Sequence, residues 1–264
     1  MTVLITGAGG GLGRAMAIEA ARRGWDMMLT DVNASGLEVF RSGLLRQYNV
    51  KVEALPCDLT DPSDVKRLFG CIREKGIQLH MLLHVAGIDF EGGFLEMDCD
   101  RLIDIVRVNI EGTLRVLHGA LHTRDEQKRF TIVVVSSLAS LYPMPLKATY
   151  AASKRFLLDF SMALSQELAD QNATVLALCP GGLPTTPGAM QGISAQGFWG
   201  RITTNSLPAV ARRTISKALR GRRVYIPGMV NRLFSILGRL VPRAALTRLL
   251  YSRWLKAREV PEKA

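Results

Sequence analysis

The chain opens on a five-residue apolar run, Thr2 to Thr6, that breaks into Gly7-Ala-Gly-Gly-Gly-Leu-Gly13 before a helix-length segment. An apolar run this short, bounded by glycines, reads as a buried strand. Glycines directly after it permit a tight turn and let backbone N–H groups at a helix N-terminus approach an anion. The same rhythm recurs along the chain. Asp26–Thr30, Val50–Cys57, His80–Val85, Thr131–Ser136, Ala173–Cys179 and Val224–Ile226 all read as strands separated by helix-length stretches. Strands that alternate with helices must form a parallel sheet covered on both faces.

Right-handed crossovers then predict an α/β fold, a Rossmann-type doubly wound sheet of about seven strands. The first helix runs to about Arg23 and the second to about Tyr48. Asp61-Pro62 marks a third start, with Asp61 as cap and Pro62 in the first turn. A long helix surrounds Asn109, and another carries Tyr150 to about Asp170. Without a linker before residue 228, residues 1–228 read as one domain and 229–264 as a helical tail.

Three groups of residues carry chemistry. Gly7, Gly11 and Gly13 sit where a pyrophosphate would meet the first helix, although their spacing differs from GxGxxG. Asp31 ends the second strand 18 residues after Gly13. A carboxylate there accepts hydrogen bonds from a ribose diol and repels a 2′-phosphate, which favours NAD over NADP. Arg14 tempers that choice, but it follows the last glycine and is expected to face along the helix. Asp58, at the end of strand three, either contacts an adenine edge or caps a turn. Tyr150 and Lys154, four residues apart, share one helix face. An ammonium beside a phenol stabilises the phenolate, which makes an acid/base for carbonyl chemistry.

These motifs, in this order, resemble the short-chain dehydrogenase/reductase family over roughly residues 1–228. Thr6–Gly13 matches its TGxxxGxG loop, and Ser137 lies 13 residues before Tyr150 in the family's Ser…YxxxK spacing. Asn109 falls where the family has its catalytic asparagine, and Pro180-Gly181 with Thr185 matches the PGxxxT turn. The resemblance implies Asn109, Ser137, Tyr150 and Lys154 as catalytic residues. Tyr150 would be the general acid/base, Lys154 would lower its pKa and bind the nicotinamide ribose, and Ser137 would bind the substrate oxygen. Asn109 would hold a water that relays protons to Lys154. Cofactor contacts are expected at Gly7, Gly11, Leu12, Gly13, Asp31, Asp58, Leu59, Ala86, Gly87, Tyr150, Lys154, Pro180, Gly181 and Thr185. One departure stands out: His84-Val85-Ala86-Gly87 replaces the usual Asn-Asn-Ala-Gly, with His84 expected to pack rather than to catalyse.

Hydrophobic residues at 48% and charged residues at 22% suit a globular protein rather than a disordered one. The four cysteines form no CxxC pair, so a zinc site is not expected, and reduced thiols fit a cytoplasmic setting. No signal peptide is read at the start. The long uncharged stretch Gln171–Gly200 is broken by prolines and glycines and reads as a strand plus loop, not a membrane span. Its second half, from Gly182 to about Leu207, carries Met190, Ile193, Phe198 and Trp199. Such a lid suits an uncharged or hydrophobic alcohol or ketone.

The net charge of +11 is uneven: residues 201–264 hold 15 Lys+Arg against 2 Asp+Glu, and residues 1–200 hold 19 against 21. In the tail, Val230, Leu233, Phe234, Ile236, Leu237 and Leu240 share one helical face, opposite Asn231, Arg232, Ser235 and Arg239. A second helix, Arg243 to about Lys256, carries Leu246, Leu250 and Trp254. The apolar stripe either packs on the body or lies on an anionic membrane surface, and packing is the commoner fate. No nucleic-acid motif accompanies the basic residues. The sequence therefore reads as an NAD-dependent alcohol/ketone oxidoreductase with a small-molecule substrate. It is expected to dimerise through the helices around Asn109 and Tyr150. The alternative is a non-catalytic dinucleotide-binding regulator that uses its tail for partners.

Overall fold

All seven apolar runs become parallel strands of one sheet, ordered β3-β2-β1-β4-β5-β6-β7. The strands are β1 Thr2–Thr6, β2 Asp26–Thr30, β3 Val52–Ala54, β4 Met81–His84, β5 Phe130–Val135, β6 Ala173–Leu178 and β7 Val224–Tyr225. The structure is a computed structural model that describes residues 1–185, 188, 190, 191, 194 and 197–258. Ile193 lies outside the described residues, as do the side chains of Phe198, Trp199, Arg239 and Trp254.

Helices fill both faces. They are α1 Gly11–Arg22, α2 Ala34–Gln47, α3 Pro62–Glu74, α4 Cys99–Val106, α5 Thr113–Leu121, α6 Ala148–Glu167, α7 Gly197–Thr203, α8 Leu207–Leu219, α9 Met229–Leu240 and α10 Arg243–Arg258. The strand period of two divides the core. Val3 and Ile5 of β1 face one layer with Met16, Leu37 and Ile215, from α1, α2 and α8. Leu4 faces the other with Leu68, Val116 and Leu157, from α3, α5 and α6.

Two elements differ from the sequence reading. The regular ladder of β3, Val52–Ala54, is shorter than Val50–Cys57. Leu55 N and Cys57 N still donate to Leu29 O and Asp31 O, so the chain stays beside β2. The single long helix around Asn109 is also interrupted, by a π-helical turn, Arg107–Gly112, between α4 and α5. At Gly112 a Cβ would come within 2.9 Å of Leu59 Cβ, so only glycine lets the widened turn sit this close. Such turns recur at functional sites. Elsewhere the reading holds: Asp61 caps α3 by accepting from Ser63 N, with Pro62 in the first turn.

The order reverses between β1 and β4, where connections leave the sheet in opposite directions. That opens a crevice at the carboxyl ends of these strands, where open α/β sheets bind ligands.

Candidate active site

The first wall of the crevice is the glycine loop. Gly7 has φ +64°, and a Cβ on it would meet Ala86 N at 2.8 Å. On Gly13 a Cβ would collide with Gly7 O, and on Gly11 it would meet Thr185 Cα at 2.9 Å. Loops 7–13, 85–87 and 181–185 thus converge at backbone distance. Helix α1 has no side-chain cap and no acidic residue in its first turn. The N–H groups of Gly11, Leu12 and Gly13 therefore lack intrahelical acceptors and suit an anion.

Asp31 stands at the end of β2. Its Oδ2 accepts from Gly9 N at 2.9 Å, and its Oδ1 from Asn33 N at 3.0 Å. The carboxylate is thereby oriented beside the glycine loop, and residues 32–37 hold no basic group. Arg14 turns away, its guanidinium 5.3 Å from the Phe40 ring centroid. Asp58 uses its carboxylate locally, accepting from Thr60 N and Oγ1 at 2.8 Å, the turn-capping alternative. The Leu59 side chain is buried in the core. Pro180 is buried at the end of β6 and its carbonyl accepts from Leu138 N.

The second wall brings the four predicted catalytic residues together. Ser137 follows β5 and caps a 3₁₀ turn, Leu138–Leu141. Tyr150 and Lys154 lie in the first two turns of α6, with Lys154 Nζ 5.7 Å from the Tyr150 ring centroid. Lys154 Nζ donates to Val135 O at 3.0 Å. Asn109 Oδ1 accepts from Ile88 N, while its Nδ2 donates to Ile88 O and to Ser153 Oγ, each within 3.0 Å. Gly87 makes this convergence feasible: a Cβ there would lie 2.8 Å from Lys154 Nζ and 3.0 Å from Asn109 Oδ1.

Burial dominates the proton affinities. It pushes the Lys154 ammonium down to about 8, opposed by Asp89 and Cys179. It raises the Tyr150 phenol well above the usual value, and Asp89 adds to this while a hydrogen bond with Ser137 works against it. The lowered phenol expected from Lys154 is not the balance found here; this arrangement stores the proton on Tyr150.

His84 is fully buried and packs, as the sequence suggested. Register opposes it to Thr6 on one side and Val134 on the other. Thr113 Oγ1 donates to Asn109 O at 2.6 Å, so it can only accept from His84 Nε2–H, 2.8 Å away. His84 Nδ1 must then accept from Thr6 Oγ1, 2.9 Å away. Thr6 Oγ1 in turn accepts from Val85 N and Ala86 N. One chain of hydrogen bonds therefore links the glycine loop, the 85–87 loop and the Asn109 turn. Burial, then the Lys154 charge, holds the His84 ring neutral by pushing it down to about 3.

Several neighbours were not foreseen. Lys147, the N-cap of α6, lies 5.7 Å from the Tyr150 ring centroid and pairs with Asp89 at 2.6 Å and Glu91 at 3.3 Å. Its position three residues before Tyr150 was the available signal. A cavity of about 300 Å³ opens beside Tyr150 and is lined mainly by apolar groups, among them Phe90, Met97, Ile105 and Leu146. Tyr251 of α10 completes its rim, a contact that no local pattern announces. Leu146, at the wall, holds φ +64°, a left-handed conformation costly for a bulky residue.

The short chain dehydrogenase family model matches residues 1–195. The chain belongs to the short-chain dehydrogenase/reductase family. It is 35% identical over 177 residues to the very-long-chain 3-oxoacyl-CoA reductase of Neurospora crassa, covering 65% of this chain and 53% of that one. It is 31% identical over 181 residues to human inactive hydroxysteroid dehydrogenase-like protein 1, covering 67% and 54%. The chain thus spans about half the length of the curated relatives it matches. A short-chain dehydrogenase/reductase from Burkholderia phymatum in complex with NAD superposes with a TM-score of 0.76 at 22% identity, over 85% of this chain and 88% of that one. A variant of actinorhodin polyketide ketoreductase with NADPH gives 0.76 at 24%, over 86% and 95%. These two establish the fold. The family assignment makes the chain one of a group of dinucleotide-dependent oxidoreductases, and its relatives include both a named reductase and a protein named inactive.

Proposed function

We propose that this short-chain dehydrogenase/reductase is an NAD(H)-dependent enzyme that interconverts a secondary alcohol and a ketone on an uncharged or hydrophobic substrate. The observation that carries this reading is the convergence of Tyr150, Lys154 and Asn109 around Gly87. The crevice fits a dinucleotide: glycines stand wherever a Cβ would fill the cradle, and uncapped N–H groups of α1 face the phosphate position. Gly7, Gly11, Leu12, Gly13, Ala86, Gly87, Gly181 and Thr185 would hold the cofactor. Asp31, with no basic group in the six residues after it, supports NAD over NADP.

When bound, the nicotinamide supplies or accepts the hydride at the substrate carbon. Ser137 holds the substrate oxygen. Tyr150 gives its stored proton to that oxygen as it gains charge in reduction, and recovers it in oxidation. The Lys154 ammonium stabilises the phenolate left behind. Asn109 braces the Ile88 loop and α6, and a water beside it passes the next proton toward Lys154. The apolar cavity accepts the rest of the substrate. An acyl or polycyclic ketone fits such walls better than a charged metabolite does.

A second reading, a dinucleotide-binding protein without turnover, is favoured by the relative named inactive. Absorbance of NADH during turnover, over a panel of 3-oxoacyl, steroid and small aliphatic ketones, separates the two. Tyr150→Phe is expected to lower kcat by about 10²–10⁴ while nucleotide binding persists. Binding without turnover across the panel would favour the second reading.

The protein is further proposed to dimerise through α4, α5 and α6. Ile103 and Val106 are exposed on α4, Leu114 on α5, and Phe156 and Met162 on α6. Light scattering tests this; a monomer or a tetramer would contradict it.

A further inference from the structure

Helix α9 turns much of its apolar stripe outward. Its sequence has an apolar stripe and a polar face, and a packed surface helix turns the stripe inward. Here the inward face carries Asn231 and Ser235, both buried, and Gly238, which lets the helix close onto the Tyr142 ring. Asn231 Nδ2 donates to Thr203 O at 3.0 Å and Pro227 O at 2.8 Å, and the Tyr142 hydroxyl donates to Phe234 O. These polar anchors fix the rotation of the helix about its axis. Four of the six stripe residues are thereby left in solvent, Leu233 at 54%, Ile236 at 59%, Leu237 at 46% and Leu240 at 77%, with Met229 beside them at 84%, while Val230 and Phe234 are half-buried.

Charge selects the occupant. Residues 229–258 contain seven Lys and Arg and no Asp or Glu. Among them Arg232, Arg243 and Arg248 are exposed. A second copy of the chain would bring like charges together on this face, whereas anionic headgroups complement them. Among the described residues no helix is long and apolar enough to cross a membrane. An apolar stripe with basic flanks and no crossing length has the physical form of an interfacial helix.

We propose that the outer face of α9 docks on an anionic lipid bilayer, with Met229, Leu233, Ile236, Leu237 and Leu240 in the acyl boundary and Arg232, Arg243 and Arg248 at the headgroups. Helix α10, next in the chain, brings Tyr251 to the rim of the cavity beside Tyr150. The inference does not depend on turnover and stands or falls apart from the enzymatic reading.

The test is co-sedimentation of the full chain with vesicles of phosphatidylcholine, with and without about 30 mol% phosphatidylserine. Binding to the anionic vesicles only, weakened by salt, is expected. The double variant Leu233→Gln with Ile236→Gln should weaken it by about tenfold or more, because both residues leave the apolar phase. Arg243→Glu with Arg248→Glu should weaken it on anionic vesicles by a similar factor. Both pairs are exposed, and an unchanged thermal midpoint verifies that each variant is folded. No sedimentation with either vesicle, or binding indifferent to both double variants, overturns the proposal. So does light scattering that shows the Leu233/Ile236 variant converting an oligomer into a smaller species, since the face would then belong to a second copy.

Discussion

Helices α6 and α9 both bury polar residues and expose several apolar ones, yet for different reasons. In α6 two buried polar groups converge on chemistry: Lys154 reaches Val135 O and Ser153 receives Asn109 Nδ2. Each is surrounded by other groups of the crevice, and Gly87 leaves room for them. In α9 the inward groups act as anchors. Asn231 ties the chain at Thr203 and Pro227 together, and its Oδ1 has no hydrogen-bond partner. Burying a polar group costs free energy unless it is satisfied, and the two bonds donated by Asn231 Nδ2 offset that cost here. The contrast teaches that polar groups buried on a helix can mark a reaction centre or the anchoring of a docking surface, and that their partners tell the two apart.

The largest effect expected beyond Tyr150 itself comes from Gly87→Ala. The added methyl meets the end of the flexible Lys154 side chain, so folding should lose little, while Nζ and Asn109 Oδ1 are pushed apart. A fall in kcat of about 10–100-fold with a nearly unchanged denaturation midpoint would sharpen the claim that α6 is organised by chemistry. Asn231→Leu tests the other helix. It strips donors from two carbonyls and should cost roughly 2–4 kcal/mol in chemical denaturation. A loss below about 0.5 kcal/mol would break the claim that polar anchors orient α9.

His84 offers a pH test of the α6 side, since it links Thr6 to the Asn109 turn. Burial holds the folded ring at about 3, against 6.5 in the unfolded chain. Between those values the unfolded state binds the extra proton, so stability is flat above about pH 6.5 and falls as the pH drops toward 3. The slope reaches up to about 1.4 kcal/mol per pH unit. His84→Asn should remove that part of the acid slope in pH-dependent unfolding; an identical slope would show that the ring is not held neutral. Smallest of all, Leu233→Gln with Ile236→Gln should change folding stability by no more than about 0.5 kcal/mol, because neither side chain is in the core. A loss of several kcal/mol would mean that the stripe packs on the body after all.

Local pattern was enough for much of this molecule. Strand and helix order, the glycine loop, the Asp61-Pro62 helix start and the Ser137, Tyr150 and Lys154 spacing are all set within short windows, where sterics and periodicity act. The sequence by itself also determined that the tail carries an apolar stripe and that residues 201–264 carry the excess positive charge. Only the tertiary structure decided which way that stripe faces, because its rotation depends on Asn231 meeting carbonyls 4 and 28 residues away. Tertiary contacts likewise decided the tautomer of His84, through Thr6 and Thr113, which lie 78 and 29 residues distant. They also set the proton affinity of Tyr150, which burial and Asp89 raise. A hydrogen bond between distant segments and the removal of water from a side chain are properties of the packed whole, and no window of sequence contains them.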